Sequence, residues 1–239
     1  MQESGQNPAR KLGLIGGMSW ISTRTYYTQI NEIFARDRGG IASAPMLIEN
    51  LDFAALSRLE SDADWQAAAA TLIASAQRLE QAGAGMIVIA ANSMHRVYRE
   101  VDAEVSVPIL HVAECVGEEM ARNGVKKAAI IGTHNVMTQG FYRRRLVSHG
   151  VDLLPPDMDN AAAIDRIIYQ DLVFGRAKRD AERKLKSIIT EKSQDGAQAI
   201  VLAATELDMV VDVAANVLPI YDSTRIHARR AAEWLVSGD

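Results

Sequence analysis

The chain has 239 residues, 48% hydrophobic and 23% charged, enough for a sizeable core in one large domain or two half-size ones. Its net charge of −4 leaves no electrostatic footprint for nucleic acid or for an anionic membrane surface. The single cysteine, Cys115, excludes an internal disulfide, and no apolar run reaches the roughly 18 residues of a membrane span. The opening segment through Pro8 is polar, lacks the apolar core of a signal peptide and reads as a loose tail. Together these features fit a cytoplasmic enzyme or binding protein.

In chain order, short apolar runs alternate with longer amphipathic ones. Leu12–Ile15 reads as a buried strand ending at Gly16-Gly17, followed by a helix over Ile21–Arg36. Pro45–Glu49 is a second strand, and an alanine-rich helix runs from Ala63 to Gln81, stopped by Gly83. Met86–Ala90 is a third strand, a helix starts near Ser93, Pro108–Leu110 is a short strand, and Ala113–Arg122 is helical. The pattern then begins again. Ala128–Ile131 is a strand ending at Gly132-Thr133, and helices follow over Met137–Ser148, Asn160–Phe174 and Ala177–Glu191. Ala199–Ala203 and Leu218–Tyr221 are strands, and a last helix covers Ser223–Val236. Continuous apolar strands separated by helices predict an α/β fold whose parallel sheets are covered on both faces.

An internal repeat organises these elements. Gly83–Ser93 lies over Gly196–Glu206 at an offset of 113, Leu14–Met18 over Ile130–His134 at 116, and Val107–Leu110 over Leu218–Tyr221 at 111. Three matches in one order at nearly one offset predict two similar half-domains, residues 9–122 and 123–221, related by a pseudo-twofold axis. The C-terminal helix, 222–239, is expected to pack back on the first. Any two α/β units share some of this patterning, so the repeat alone leaves coincidence open.

Ligands of open α/β sheets bind beyond the carboxyl ends of strands. Under the pseudo-twofold, Ala91-Asn92-Ser93 and Ala204-Thr205-Glu206 face each other across a cleft between the halves. Asn92, Ser93 and Thr205 offer polar side chains there, and free backbone N–H groups at such turns suit a carboxylate. Opposed walls suit inversion of a stereocentre, which needs a base on one face of the carbon and an acid on the other.

These residues resemble the aspartate/glutamate racemase family, in particular its branch with an amino-terminal Gly-Gly-Met-Ser-Trp, here Gly16-Gly17-Met18-Ser19-Trp20. The family's first catalytic motif is a cysteine, or in some members a threonine, before Asn-Thr or Asn-Ser, often with a histidine two residues on. Here it stands as Ala91-Asn92-Ser93-Met94-His95. Its second motif, Cys-Thr-Glu, stands as Ala204-Thr205-Glu206. The likeness runs from about Lys11 to Trp234. It implies a cofactor-independent amino-acid racemase for aspartate or glutamate, with no metal, and commonly a homodimer.

The same resemblance puts alanine at both cysteine positions. Alanine carries no proton, and losing one general acid or base costs about 10²–10⁴-fold in rate, so the chain as written is expected to be inactive. Two origins stay open: an engineered replacement of both residues, or a natural relative that kept the pocket for binding a small amino acid or dicarboxylate. Cys115 sits in a helix-forming stretch and reads as packing. The family likeness adds Met18 and Glu60 as substrate contacts, with Gly17 and His95 as further candidates. Glu206 is expected to contact substrate or orient a neighbour. Relatives carry a substrate-binding lysine where Val173 stands here, leaving Arg24 and Arg166 as alternative partners for a distal carboxylate.

The remaining signals are weaker. Gly13–Gly17 is not the spacing of a dinucleotide loop, and the five histidines show no metal-ligand spacing. His134 follows a strand end and is a lesser candidate for the cleft. Arg143-Arg144-Arg145 reads as a solvated helix face, with subunit contact as the sharper alternative; phosphate binding there lacks a supporting glycine-rich loop.

Overall fold

The computed structural model describes residues 10–57 and 59–237. The segment read as a polar tail, residues 1–8, lies outside them, as do the last two residues of the C-terminal stretch.

The first half contains β1 (Leu12–Gly16), α1 (Trp20–Arg38), β2 (Met46–Asn50), α2 (Asp62–Gln81), β3 (Met86–Ile89), α3 (Tyr98–Asp102), β4 (Ile109–Leu110) and α4 (Val112–Arg122). The second contains β5 (Lys127–Gly132), α5 (His134–Thr138), α6 (Gly140–Ser148), β6 (Asp152–Leu153), α7 (Met158–Gln170), α8 (Arg179–Gln194), β7 (Ala199–Ala203), β8 (Ile220–Asp222) and α9 (Ser223–Val236). Single 3-10 turns cover Phe53–Ala55, Ser93–Val97, Leu172–Phe174 and Leu207–Met209. Among the described residues no helix is long and apolar enough to cross a membrane.

Each half builds a four-stranded parallel sheet, in the orders β2-β1-β3-β4 and β6-β5-β7-β8. The repeat in the sequence reappears as a repeat in register. Leu14 pairs with Val88 and Val88 with Leu110 in one sheet; Ile130 pairs with Val201 and Val201 with Tyr221 in the other. These are the residues that the three offsets superpose, so the two sheets are the expected similar units.

Helix ends follow local chemistry. Ser61 and Asp64 form a capping box at the start of α2, each side chain bonded to the other residue's backbone N–H. The Asp222 carboxylate accepts from the N–H groups of Thr224 and Arg225 and starts α9. The stretch expected as one helix over Met137–Ser148 is two, because Gln139 is extended between α5 and α6. The helix expected at Ser93 opens as a 3-10 turn and becomes α-helical only at Tyr98. The strand β6 was not legible: it is two residues long, and backbone bonds such as Asp152 N–H to Lys126 O (2.8 Å) define it rather than any apolar run.

The two halves exchange helices. Ala228, Ala231 and Ala232 of α9 join Leu12, Leu14 and Val88 in the core over one face of the first sheet. Val112, Val116 and Met120 of α4 join the core of the second half. Alanines on α9 let that helix approach the sheet closely. Trp65, Leu72 and Ala76 of α2 cover the opposite face of the first sheet with Ile15, Ile87 and Ile89.

Gly17 shows how tightly the β1–α1 turn is built. Its φ is 86°, and a Cβ there would lie 2.0 Å from the Leu51 carbonyl oxygen. Its N–H donates to Thr23 Oγ1 at 2.7 Å. Gly17→Ala combines an unfavourable φ with a backbone clash, and we expect it to cost on the order of 3 kcal/mol or more, read as a lower urea midpoint with an unchanged slope.

Candidate active site

A cavity of about 460 Å³ lies where the strand ends of the two halves meet. The first half contributes Met18 after β1, Ala91, Asn92 and Ser93 after β3, and Glu60 and Trp65 around the start of α2. The second half contributes Thr133 and His134 after β5, Ala204, Thr205 and Glu206 after β7, and Asp165, Ile168, Tyr169 and Val173 from α7 and the turn behind it. Residues that the repeat superposes therefore line one space from two sides: Met18 with His134, Ala91 with Ala204, Asn92 with Thr205.

Ala91 and Ala204 are both buried, each just past the carboxyl end of a core strand, β3 and β7 respectively. Beside them, several polar atoms have no protein partner. Both side-chain atoms of Asn92 and the hydroxyl of Thr133 are buried and unpaired. An unpaired buried amide costs about 1–3 kcal/mol, so such atoms in a cavity wall mark places for a polar ligand. Thr133 was not singled out by sequence. Its signal lies in the match of Gly132-Thr133 to Gly16-Gly17, the turn after β1.

Glu206 differs from its neighbours. Its carboxylate is already engaged, accepting from Ser19 Oγ at 2.8 Å, Ser22 Oγ at 2.9 Å and Thr205 Oγ1 at 2.8 Å. Ser19 caps α1 of the first half, so one buried carboxylate ties the β7 turn of the second half to the start of α1. Both of its oxygens, one expected role of which is substrate contact, are thus held by hydroxyl donors of the protein.

His95 does not line the cavity. It is buried one layer behind, where Nδ1 donates to the Ala91 carbonyl at 3.1 Å and Nε2 accepts from the Val112 N–H at 3.3 Å. Its neighbours are His111, with ring centroids 4.5 Å apart, and His227, at 5.7 Å. His227 in turn donates from Nε2 to the Leu110 carbonyl and accepts from the Tyr26 hydroxyl at 2.8 Å. Burial drives all three imidazoles neutral: His95 falls from its ordinary 6.5 to about 4, His227 to about 3, and His111 falls as well, helped by the neighbouring imidazoles and Arg145.

Gly17 lines an adjoining groove with Trp20, Phe53 and Phe174 rather than this cavity. Arg24 and Arg166 do not line it either; both are exposed, and the Arg24 guanidinium lies 5.7 Å from the Trp20 ring centroid. Among the described lining residues the carboxylates are Glu60, Asp165 and Glu206, and His134 is the sole side chain able to carry positive charge. Asp165 accepts the His134 backbone N–H at 2.8 Å, and burial raises its carboxyl pKa. Cys115 is buried in the second core, where burial pushes its thiol up to about 12, so it supplies no thiolate.

Two expectations follow. A histidine whose folded pKa lies below its unfolded value of about 6.5 adds stability above that pH, and the contribution is lost as pH falls through the folded value. Stability should therefore decline between about pH 6.5 and 4, by on the order of 3 kcal/mol for His95 alone, and His95→Gln should flatten that slope in urea titrations run across the window. Glu206→Gln should weaken the tie between the β7 turn and α1 and lower the unfolding free energy by about 1.5–3 kcal/mol, while Asp208→Asn nearby leaves the Ser19 and Ser22 bonds intact.

Comparisons with known proteins agree with this architecture. A model of the family described as Asp/Glu/Hydantoin racemase matches residues 15–231. A broad-specificity amino-acid racemase, RacX, of Bacillus subtilis is 27% identical over 158 residues, covering 66% of this chain and 68% of its own. The crystal structure of a candidate Asp/Glu racemase from Yersinia pestis superposes with a TM-score of 0.86 at 36% identity, covering 95% of this chain and 99% of that one. An aspartate racemase homologue from Pyrococcus horikoshii gives 0.81 at 30% identity, covering 95% and 99%. With the family match spanning nearly the whole sequence and both sheets in place, the chain belongs to the Asp/Glu/Hydantoin racemase family.

Proposed function

We propose that the cleft receives one free α-amino acid, that the scaffold is that of a two-base racemase working without a cofactor, and that this chain binds its ligand without inverting it. The observation that carries the reading is that Ala91 and Ala204, at equivalent strand ends of two similar halves, line one cavity. A carbon held between those positions exposes one face to each half. In a two-cysteine racemase, a thiolate on one side removes the Cα proton and a thiol on the other delivers a new one, which inverts the centre. The methyl groups of Ala91 and Ala204 do neither, and Cys115 lies in the core away from the cavity. The unpaired Asn92 amide and Thr133 hydroxyl are the atoms we assign to the ligand's α-carboxylate and ammonium.

The family resemblance favours aspartate or glutamate as the ligand. One observation favours a second reading, a side chain without negative charge. An anionic side chain would meet Glu60 and Asp165, with Val173 in place of some relatives' lysine and no lysine or arginine among the described lining residues. The same resemblance leads us to propose a homodimer, which a sedimentation mass of a single chain would exclude.

The decisive experiment restores both proton carriers. We expect Ala91→Cys with Ala204→Cys to exchange solvent deuterium into Cα and to racemise its ligand, each single restoration being slower by about 10²–10⁴-fold. Calorimetry on the unaltered chain with D- and L-aspartate, glutamate, homoserine, methionine and lysine should give binding without turnover and rank the side chains. A folded double variant that incorporates no deuterium with any of these amino acids would overturn the racemase reading.

A further inference from the structure

A second cavity, of about 360 Å³, lies on the other side of the Ala91 wall, and its lining is strongly basic. Arg96 and Arg99, around the start of α3, line it together with Arg144 and Arg145 of α6, with Glu114 of α4 as the one carboxylate among the described lining residues. Four arginines from both halves of the molecule thus line one concave space, Arg99 and Arg144 with exposed side chains.

The pairing of these arginines leaves charge uncompensated. Glu114 is shared by Arg145 and His149. Arg96 reaches Asp62 at 3.4 Å, but that carboxylate is almost fully exposed, and such a pair contributes little. Arg99 and Arg144 have no carboxylate partner among the described residues. Two arginines are also held by stacking: Arg145 lies 4.9 Å from the Tyr98 ring centroid and Arg96 4.3 Å from that of Trp65. Stacking fixes the plane of each guanidinium, and the N–H groups that Glu114 and Asp62 do not take stay available to a planar or tetrahedral oxyanion. Ser148 and Phe141 complete a rim with one hydroxyl and one apolar face.

We propose that this cavity binds a phosphate group, with Arg99 and Arg144 as its principal partners and Arg145 in support. Phosphate fits because guanidinium forks match its oxygens two at a time and because the cavity carries a surplus of positive charge on a concave surface. The site stands apart from the amino-acid cleft and does not depend on the racemase reading. It touches the cleft through two shared supports. His95 lines this second cavity and donates to the Ala91 carbonyl, and Arg96 lies on Trp65, whose ring lines the first. A phosphate drawing α3 and α6 together would therefore press on the same strand turn that carries Ala91.

The test is calorimetry of the full chain in phosphate-free buffer with inorganic phosphate, pyrophosphate and a nucleoside diphosphate. Binding of pyrophosphate as tight as that of the nucleotide identifies an inorganic oligophosphate site; tighter nucleotide binding identifies an organic phosphate with Phe141 against its non-phosphate part. Either outcome supports the proposal. Arg99→Gln with Arg144→Gln should weaken binding by about tenfold or more, whereas Arg144→Lys alone retains part of it and Arg24→Gln, remote from the cavity, leaves it unchanged. Thermal melting of each variant separates loss of binding from loss of fold. No heat with any of the three ligands up to about 10 mM, or undiminished binding by the folded double variant, overturns the proposal.

Discussion

Two sheets with the same strand order, joined so that their carboxyl ends look into one space, set the terms for everything else in this molecule. Parallel strands place all their carboxyl ends on one side, so the turns after β1, β3, β5 and β7 converge there without any one of them being specialised for the purpose. The rows Leu14–Val88–Leu110 and Ile130–Val201–Tyr221 keep the two halves in equivalent register, and a slip by one residue in either would turn its core side chains to the wrong face. Helix exchange then holds the arrangement: α4 is buried in the second core and α9 on the first sheet. Across the seam, the Glu206 carboxylate binds hydroxyls from both halves.

Behind the cleft wall lies a polar interior made almost entirely of neutral groups. His95, His111 and His227 sit together with Tyr26 in a region where burial makes a charged imidazole expensive. Each of His95 and His227 uses one nitrogen as donor and the other as acceptor, which only the neutral ring can do. The effect is to fix backbone carbonyls at Ala91 and Leu110 with directional bonds rather than with charge. The arginines of the second cavity begin at the outer edge of this layer, so the same few residues separate a basic concave surface from an acidic one.

Legibility from sequence followed burial. Strands β1, β3, β5 and β7 were readable because central parallel strands are apolar throughout, and α2 because its alanines and the Gly83 stop are local signals. β6 was not, since two residues on an edge carry no apolar period. In the cleft, Ala91, Asn92, Ser93, Ala204, Thr205, Met18 and Glu60 line the cavity from positions found by the repeat and the motifs. His95 is different: two residues after a strand-end motif it could face either way, and the 3-10 turn over Ser93–Val97 rotates it backward onto the Ala91 carbonyl. Asp165, Tyr169 and Ile168 come from α7, far along the chain, and no local pattern marks them.

Sequence by itself determined the two-fold plan, the parallel sheets and the turns whose residues line the cleft, because apolar periodicity and small-residue turns are properties of a few adjacent residues. It also determined that alanine stands at both 91 and 204, since that is a matter of residue identity. Only the tertiary structure decided which polar groups are left unpaired, which carboxylate is already satisfied, and that Arg99 and Arg144 line one cavity. Those outcomes depend on distances between segments remote in the chain, and the free energy of a buried or clustered charge is set by its surroundings, not by its sequence neighbours.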